Sequence, residues 1–190
     1  MGAGTKFFSS GFKSEALALY QDRITFPVQF QKSILSRLLQ FPMPTICVIN
    51  GHAIAGGLIF GLCFDHKIMK DQNAIAVLGE LNLGLGFMPG YAAVIKHKLD
   101  SQTLRYMFYA KKYTAQMCKN SNVVDSLYKN DEDLGKQIRD YADKMNLQSF
   151  DGQQYSAQKR QQNQQLLRIL DNVDGLSYET MVAVHDRYKL

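Results

Sequence analysis

The sequence predicts an α/β fold with a helical C-terminal extension. Three observations carry that prediction. A wholly apolar, β-branched run at 45–49 follows Phe41-Pro42-Met43-Pro44 and ends at Asn50-Gly51, as a strand buried on both faces requires. Strand-like and helix-like segments alternate through the first half of the chain. From Thr114 onward the pattern is almost entirely helical, which segregates helices to the end of an α/β core.

Each element has its own signal. Lys6-Phe7-Phe8 reads as the end of a strand, Ser9-Ser10-Gly11 as a turn and 14–20 as a weak helix. Pro27 is placed to open a better helix, because Val28, Gln31, Ile34, Leu35, Leu38 and Leu39 recur at helical spacing. Pro42 and Pro44 end it. After the strand at 45–49, the small residues of 51–57 read as a tight turn and 58–64 as a helix with no polar face. Short strands are predicted over 67–69 and 74–78, and helices over 91–99 and 101–110. Thr114 caps a helix over 115–119. Asp131, Glu132 and Asp133 suit the start of an amphipathic helix over 130–145. A Gln-rich helix with a thin apolar face spans 153–170, and the tail from Ser177 is read as helical. No linker divides the chain, so residues 1–128 form the core and 129–190 the extension of one domain.

Composition excludes several classes. The 190 residues are 46% hydrophobic and 21% charged, which excludes a disordered chain. Lys plus Arg total 22 against 17 Asp plus Glu, for a formal charge of +5. That mild excess suits an anionic small molecule, but the bases are scattered and do not mark nucleic acid as a partner. Cys47, Cys63 and Cys118 form no C-x-x-C pair and read as buried, reduced thiols. No metal site is expected, because none of His52, His66, His97 and His185 is followed by a second His or Cys at ligand spacing. The stretch 45–64 is apolar and about long enough to span a bilayer core of ~30 Å. Asn50-Gly51-His52 and Gly56-Gly57 interrupt it, so it is read as strand, turn and helix, with no membrane span. No cationic-then-apolar leader opens the chain.

The chemistry concentrates in two places. A buried strand that runs through a small-residue turn into a helix at Gly56-Gly57 offers backbone N–H groups to a negative oxygen. On these residues alone, close helix–strand packing accounts for the glycines equally well. Glu80 stands among Val77, Leu78, Leu81, Leu83 and Leu85, where desolvation raises a carboxyl pKa. An exposed strand-end glutamate beside a turn is the plainer account of the residues by themselves.

Pro44-Thr45-Ile46, Asn50-Gly51-His52-Ala53, Gly56-Gly57 and Asp65 together resemble the signature of the crotonase superfamily, the enoyl-CoA hydratases and isomerases. Gly4-Thr-Lys-Phe-Phe-Ser-Ser-Gly11 is similar to that family's first oxyanion-hole segment, and Gly79-Glu80-Leu-Asn-Leu-Gly-Leu85 with Pro89-Gly90 to its acid/base segment. Val123-Val124-Asp125 matches a later turn, with Asn122 in place of a glycine. Phe7-Phe8-Ser9, Pro42-Met43-Pro44-Thr45 and Gly51-His52-Ala53 resemble most the peroxisomal plant-type Δ3,Δ2-enoyl-CoA isomerases.

The resemblance implies a crotonase-like fold of repeated ββα units that lacks the first units, and hence an exposed sheet edge. It implies an acyl-CoA or enoyl-CoA thioester as substrate, with coenzyme A carried on the substrate and no separate cofactor. Backbone N–H groups of Phe12 and Gly56 become the oxyanion hole, Glu80 the catalytic base, and Ala53, Gly57, Pro89 and Gly90 substrate-binding positions. The first glutamate of the hydratases falls on Ile59, so the pattern is that of an isomerase. His52 is expected to bond a backbone carbonyl, and Asp65 to be structural. Phe12-Lys13 departs from the family's usual residue-then-Asp, which leaves Lys13 either facing CoA phosphates or solvated. The resemblance further implies a homotrimer or hexamer. The alternative is a non-catalytic crotonase-fold subunit of an oligomer or larger complex. Tyr188-Lys189-Leu190 shares its last two residues with a peroxisomal address, so the peroxisome is the expected location and the mitochondrion the alternative.

Overall fold

The computed structural model describes residues 1–12 and 20–172; side chains are described for these residues except 20–24 and 148. Residues 14–19 of the helix expected over 14–20, the role of Lys13, the helical tail and the Tyr188-Lys189-Leu190 signal lie outside them. The order is β1 (Phe7–Ser9), α1 (Tyr20–Phe30), a π-turn (Gln31–Leu35), α2 (Ser36–Leu38), β2 (Ile46–Ile49), β3 (His52–Ile54), α3 (Gly56–Leu62), β4 (His66–Lys70) and β5 (Ile75–Val77). A 3-10 turn (Glu80–Leu83), α4 (Pro89–Lys98), α5 (Ser101–Phe108), β6 (Tyr113–Thr114), α6 (Ala115–Asn120), β7 (Ser126–Tyr128), α7 (Asp131–Lys144), a second 3-10 turn (Leu147–Ser149), α8 (Gly152–Gln162) and α9 (Gln164–Asp171) complete it.

Two sheets share one chain path. One has the order β1-β3-β5-β6 and the other β2-β4-β7, which leaves β1 and β2 at edges among the described residues. All pairs are parallel except β5 with β6. The chain crosses from the second sheet to the first at Asn50-Gly51. The buried Asn50 side chain accepts from Gly2 N (2.8 Å) and donates to Gly2 O (3.0 Å) and Gly4 O (2.7 Å), which fixes the segment that leads into β1. The apolar stretch at 45–64 therefore folds as two strands and a helix, and no helix among the described residues is long and apolar enough to cross a membrane. Leu58, Ile59 and Leu62 of α3 pack with Ile49, Met69, Val94 and Ile95 in the main core.

The turn expected over 51–57 contains a strand instead, because Ala53 is fully buried between Ser9 and Ala76 of its neighbours, where only a small side chain fits. Strands β6 and β7 are likewise additions. Pro27 does not open its helix: α1 already runs from Tyr20 and carries Pro27 inside. The Tyr91 hydroxyl donates to Pro27 O at 3.2 Å, and the π-turn that follows absorbs the disturbed spacing. The expected helix over 153–170 is two helices. Asn163 separates them, its Nδ2 donating to Leu39 O (3.1 Å) and Lys159 O (2.9 Å). Thr114 caps α6 through Met117 N at 3.3 Å, as expected. Asn122 adopts φ 54°, a left-handed conformation that asparagine tolerates, which fits its place where the resemblance implies a glycine.

A buried ion pair ties α8 to the start of β2. Lys159 Nζ donates to Asp65 Oδ2 at 2.8 Å and to Leu38 O at 3.3 Å. The same oxygen accepts from Thr45 N (2.9 Å) and Thr45 Oγ1 (2.8 Å). Asp65 is thus part of the scaffold.

Candidate active site

Parallel pairing sends three segments out of the same end of one sheet. Ser9 lies opposite Ala53, and Ile54 opposite Val77. The residues that follow β1, β3 and β5 are Gly11-Phe12, Ala55-Gly56 and Gly79-Glu80, so the sequence-predicted hole and base emerge from neighbouring strand ends. Ligands bind at this end of parallel sheets.

Gly11 and Gly56 touch. Gly11 has φ +85°, and a Cβ there would stand 3.3 Å from Gly56 N. Glycine is needed twice over at position 11, for the positive φ and to leave the Gly56 N–H uncovered. Among the described residues, neither Phe12 N nor Gly56 N donates a hydrogen bond. Ser9, Gly11, Phe12, Phe30, Gly56 and Phe60 line a cavity of about 120 Å³ here. Phe30 meets Phe12 edge-on with centroids 5.3 Å apart and leans on Phe60 at 6.0 Å. Phe12 and Gly56 therefore line an aromatic-walled space, where a hydrogen bond to a charged oxygen is stronger than in water. Phe30 and Phe60 are site residues that the sequence did not single out. Phe60 lies on the helix without a polar face and Phe30 on a helix with polar residues, so an aromatic residue within a helix was the one signal they shared.

The helix that presents Gly56 starts under strain. Ala55 has φ 52° and ψ −127°, a region glycine occupies freely and alanine does not, at a cost of about 1–3 kcal/mol. Ala55 N is held by Val77 O at 2.9 Å. Ala55→Gly is expected to raise stability in denaturant unfolding by about 1 kcal/mol, the relieved strain less the extra entropy of an unfolded glycine.

Gly57 is buried, and a Cβ on it would reach Ser9 O at 2.5 Å and Ser9 Cβ at 2.6 Å. Gly57→Ala is expected to push α3 off β1 and lower stability by about 3 kcal/mol, the upper range for overpacking, as read by thermal unfolding. The other expected substrate positions fall as follows. Ala53 is wholly inside the sheet, and Pro89 stands at the first turn of α4. Gly90 is buried, with the Gln31 side chain filling the place of its missing Cβ.

Glu80 opens the 3-10 turn after β5. It is outside the lining of the 120 Å³ cavity. Its Oε2 is buried with no hydrogen-bond partner, and burial holds its carboxyl above the usual glutamate range against the opposing pull of its own main-chain N–H. Leu81, Leu83 and Leu85 are themselves exposed, at 56%, 66% and 45%, whereas Val77 and Leu78, the other two apolar neighbours expected around Glu80, are buried. Ile59 is fully buried in the core, so no second carboxylate enters from α3. His52 Nδ1 accepts from Ile75 N at 3.3 Å, which makes it an acceptor of a backbone N–H and not a partner of a carbonyl. Larger open grooves lie along Gln40, Arg160 and Arg168 (about 710 Å³) and along His66, Asp125 and Tyr141 (about 420 Å³); neither includes Phe12, Gly56 or Glu80.

Comparisons with known proteins place the chain in a family. The enoyl-CoA hydratase/isomerase family model matches residues 1–182. The peroxisomal enoyl-CoA delta isomerase 2 of Arabidopsis thaliana is 28% identical over 180 residues, covering 88% of this chain and 74% of the relative. The peroxisomal enoyl-CoA delta isomerase 1 of the same plant is 33% identical over 128 residues, covering 65% and 52%. Among solved structures, a probable enoyl-CoA hydratase from Mycobacterium tuberculosis superposes with a TM-score of 0.82 at 19% identity, over 98% of this chain and 78% of its own. An enoyl-CoA hydratase from Bacillus halodurans gives 0.79 at 18% identity, over 96% and 74%. The α/β architecture is thus the crotonase fold, and the chain belongs to the enoyl-CoA hydratase/isomerase family.

Proposed function

We propose that the chain is a Δ3,Δ2-enoyl-CoA isomerase of unsaturated fatty-acid β-oxidation. The observation that supports this most is the Glu80 carboxyl, whose Oε2 is buried without a hydrogen-bond partner and whose pKa is raised, taken with a fully buried Ile59 at the position where a second acid would be needed to activate water. Glu80 takes a proton from C2 of a 3-enoyl thioester. The electron pair moves onto the thioester oxygen, which Phe12 N and Gly56 N receive as an enolate. Glu80 then returns the proton at C4, leaving the double bond between C2 and C3. Proton transfer of this kind works best when the base titrates near working pH, and a raised glutamate meets that condition. Each preorganised donor of an oxyanion hole contributes about 3–4 kcal/mol. Ala53 and Gly57 pack against Ser9 and so support the strand and helix that carry Phe12 and Gly56. The same reading includes a homotrimer or hexamer and a peroxisomal location, the latter suggested by the names of the plant relatives.

The test is a spectrophotometric assay of 3-enoyl-CoA conversion to 2-enoyl-CoA with the wild type beside Glu80→Gln. Turnover that disappears in the variant supports the reading. A folded wild type that binds acyl-CoA and converts none of it supports the non-catalytic subunit instead.

A further inference from the structure

Glu80 is followed by an apolar segment that the protein does not bury. Leu81, Leu83 and Leu85 are all exposed, and Asn82 is the only polar side chain between Leu81 and Phe87. The segment is not a stray loop. Leu85 N donates to Glu80 O at 3.0 Å, which folds the turn back on itself and keeps all three leucines within one turn of the carboxylate. Gly84, at φ +66°, makes that reversal possible. Phe87 then stacks on Phe108 of α5 with centroids 5.3 Å apart, which extends the apolar ledge and anchors it.

The cavity at Phe12 and Gly56 is small by comparison. Its volume of about 120 Å³ equals that of about four water molecules at ~30 Å³ each. That is room for a thioester head and not for an acyl tail. On the isomerase reading C2 and C4 lie at Glu80, so the tail beyond them runs along the surface next to Glu80, which is the leucine ledge. We infer that Leu81, Leu83 and Leu85 carry the acyl tail, so that the chain favours long-chain over short-chain enoyl thioesters.

This inference rests on the isomerase reading, and its test separates the two. Saturated hexanoyl-, octanoyl-, decanoyl- and dodecanoyl-CoA bind without reacting and are titrated calorimetrically against the wild type and the variant Leu81→Asn/Leu83→Asn/Leu85→Asn. Full burial of a methylene strengthens binding about fourfold, and a one-sided ledge about twofold. Decanoyl-CoA, longer by four methylenes, is therefore expected to bind the wild type about 16-fold more tightly than hexanoyl-CoA, and the variant is expected to lose most of that ratio. The replaced leucines are outside the core, and a thermal melt checks that the variant folds. An affinity independent of length in the wild type, or an equal slope in the variant, overturns the inference. A variant that keeps the slope but changes the particle's mass in sedimentation also overturns it, by assigning the ledge to contact between copies. A slope that the variant flattens, in a protein that turns over no 3-enoyl thioester, leaves the ledge as an acyl site and removes the isomerase reading.

Discussion

Glu80→Gln is expected to slow 3-enoyl-CoA isomerisation by about 10²–10⁴-fold, the range for loss of a general base, and to melt at a higher temperature than the wild type near neutral pH. The two effects share one cause. Burial penalises the charged carboxylate and raises its pKa above the ordinary glutamate value. At a pH below the unfolded-state value, Glu80 is neutral in both states and the penalty is absent. As pH rises through the raised folded-state value, the group ionises and that stability is lost. Glutamine never ionises, so the gap in melting temperature opens with rising pH and closes in acid. The wild-type rate should follow the opposite course, falling as pH drops through the same raised value. A melt and a pH–rate profile on both proteins check this. A variant that is both inactive and less stable at neutral pH contradicts the assignment, because it makes Glu80 a structural residue.

Lys159→Met is expected to destabilise the protein by about 3–5 kcal/mol, which at this size lowers Tm by roughly 10 °C or more. Methionine keeps the apolar stem and removes the charge. The Asp65 carboxylate, 18% exposed, then retains the two donors of Thr45 but has no cation. Asp65→Asn should cost a similar amount by stranding the ammonium. The double variant should cost clearly less than the sum, because neither charge is left alone. Equilibrium unfolding in denaturant of the four proteins measures the coupling, and strict additivity would show that the pair is not an energetic unit.

These two sites differ in how far the sequence revealed them. Glu80 was legible because its neighbours in sequence are its neighbours in the site, at the end of a strand. Which of its apolar neighbours turn outward was not legible. Leu81, Leu83 and Leu85 alternate like a half-buried strand, and only a 3-10 turn with a left-handed Gly84 turns all three outward. The structural role of Asp65 was expected, but its partner Lys159 lies 94 residues away in a Gln-rich helix with no local sign of a buried cation. Local chemistry that closes within one turn, such as the Thr114 cap or the acidic start of α7, was placed nearly to the residue. Features set by other elements were not: β3 exists because Ser9 and Ala76 flank Ala53, and α1 passes through Pro27 where Tyr91 takes up its carbonyl. The walls of the cavity, Phe30 and Phe60, come from two helices and carry no motif at all.

Both candidate donors in that cavity are main-chain groups, and this shapes how the protein responds to genetic variation. A scan that replaces each side chain in turn with alanine leaves Phe12 N and Gly56 N in place. Such a map would record Phe12 as a packing residue and Gly56 as a helix start. Only proline deletes the N–H. Population variants or laboratory libraries that look neutral at these two codons therefore say nothing about whether the groups matter, and the informative change at each is the single residue type most scans leave out.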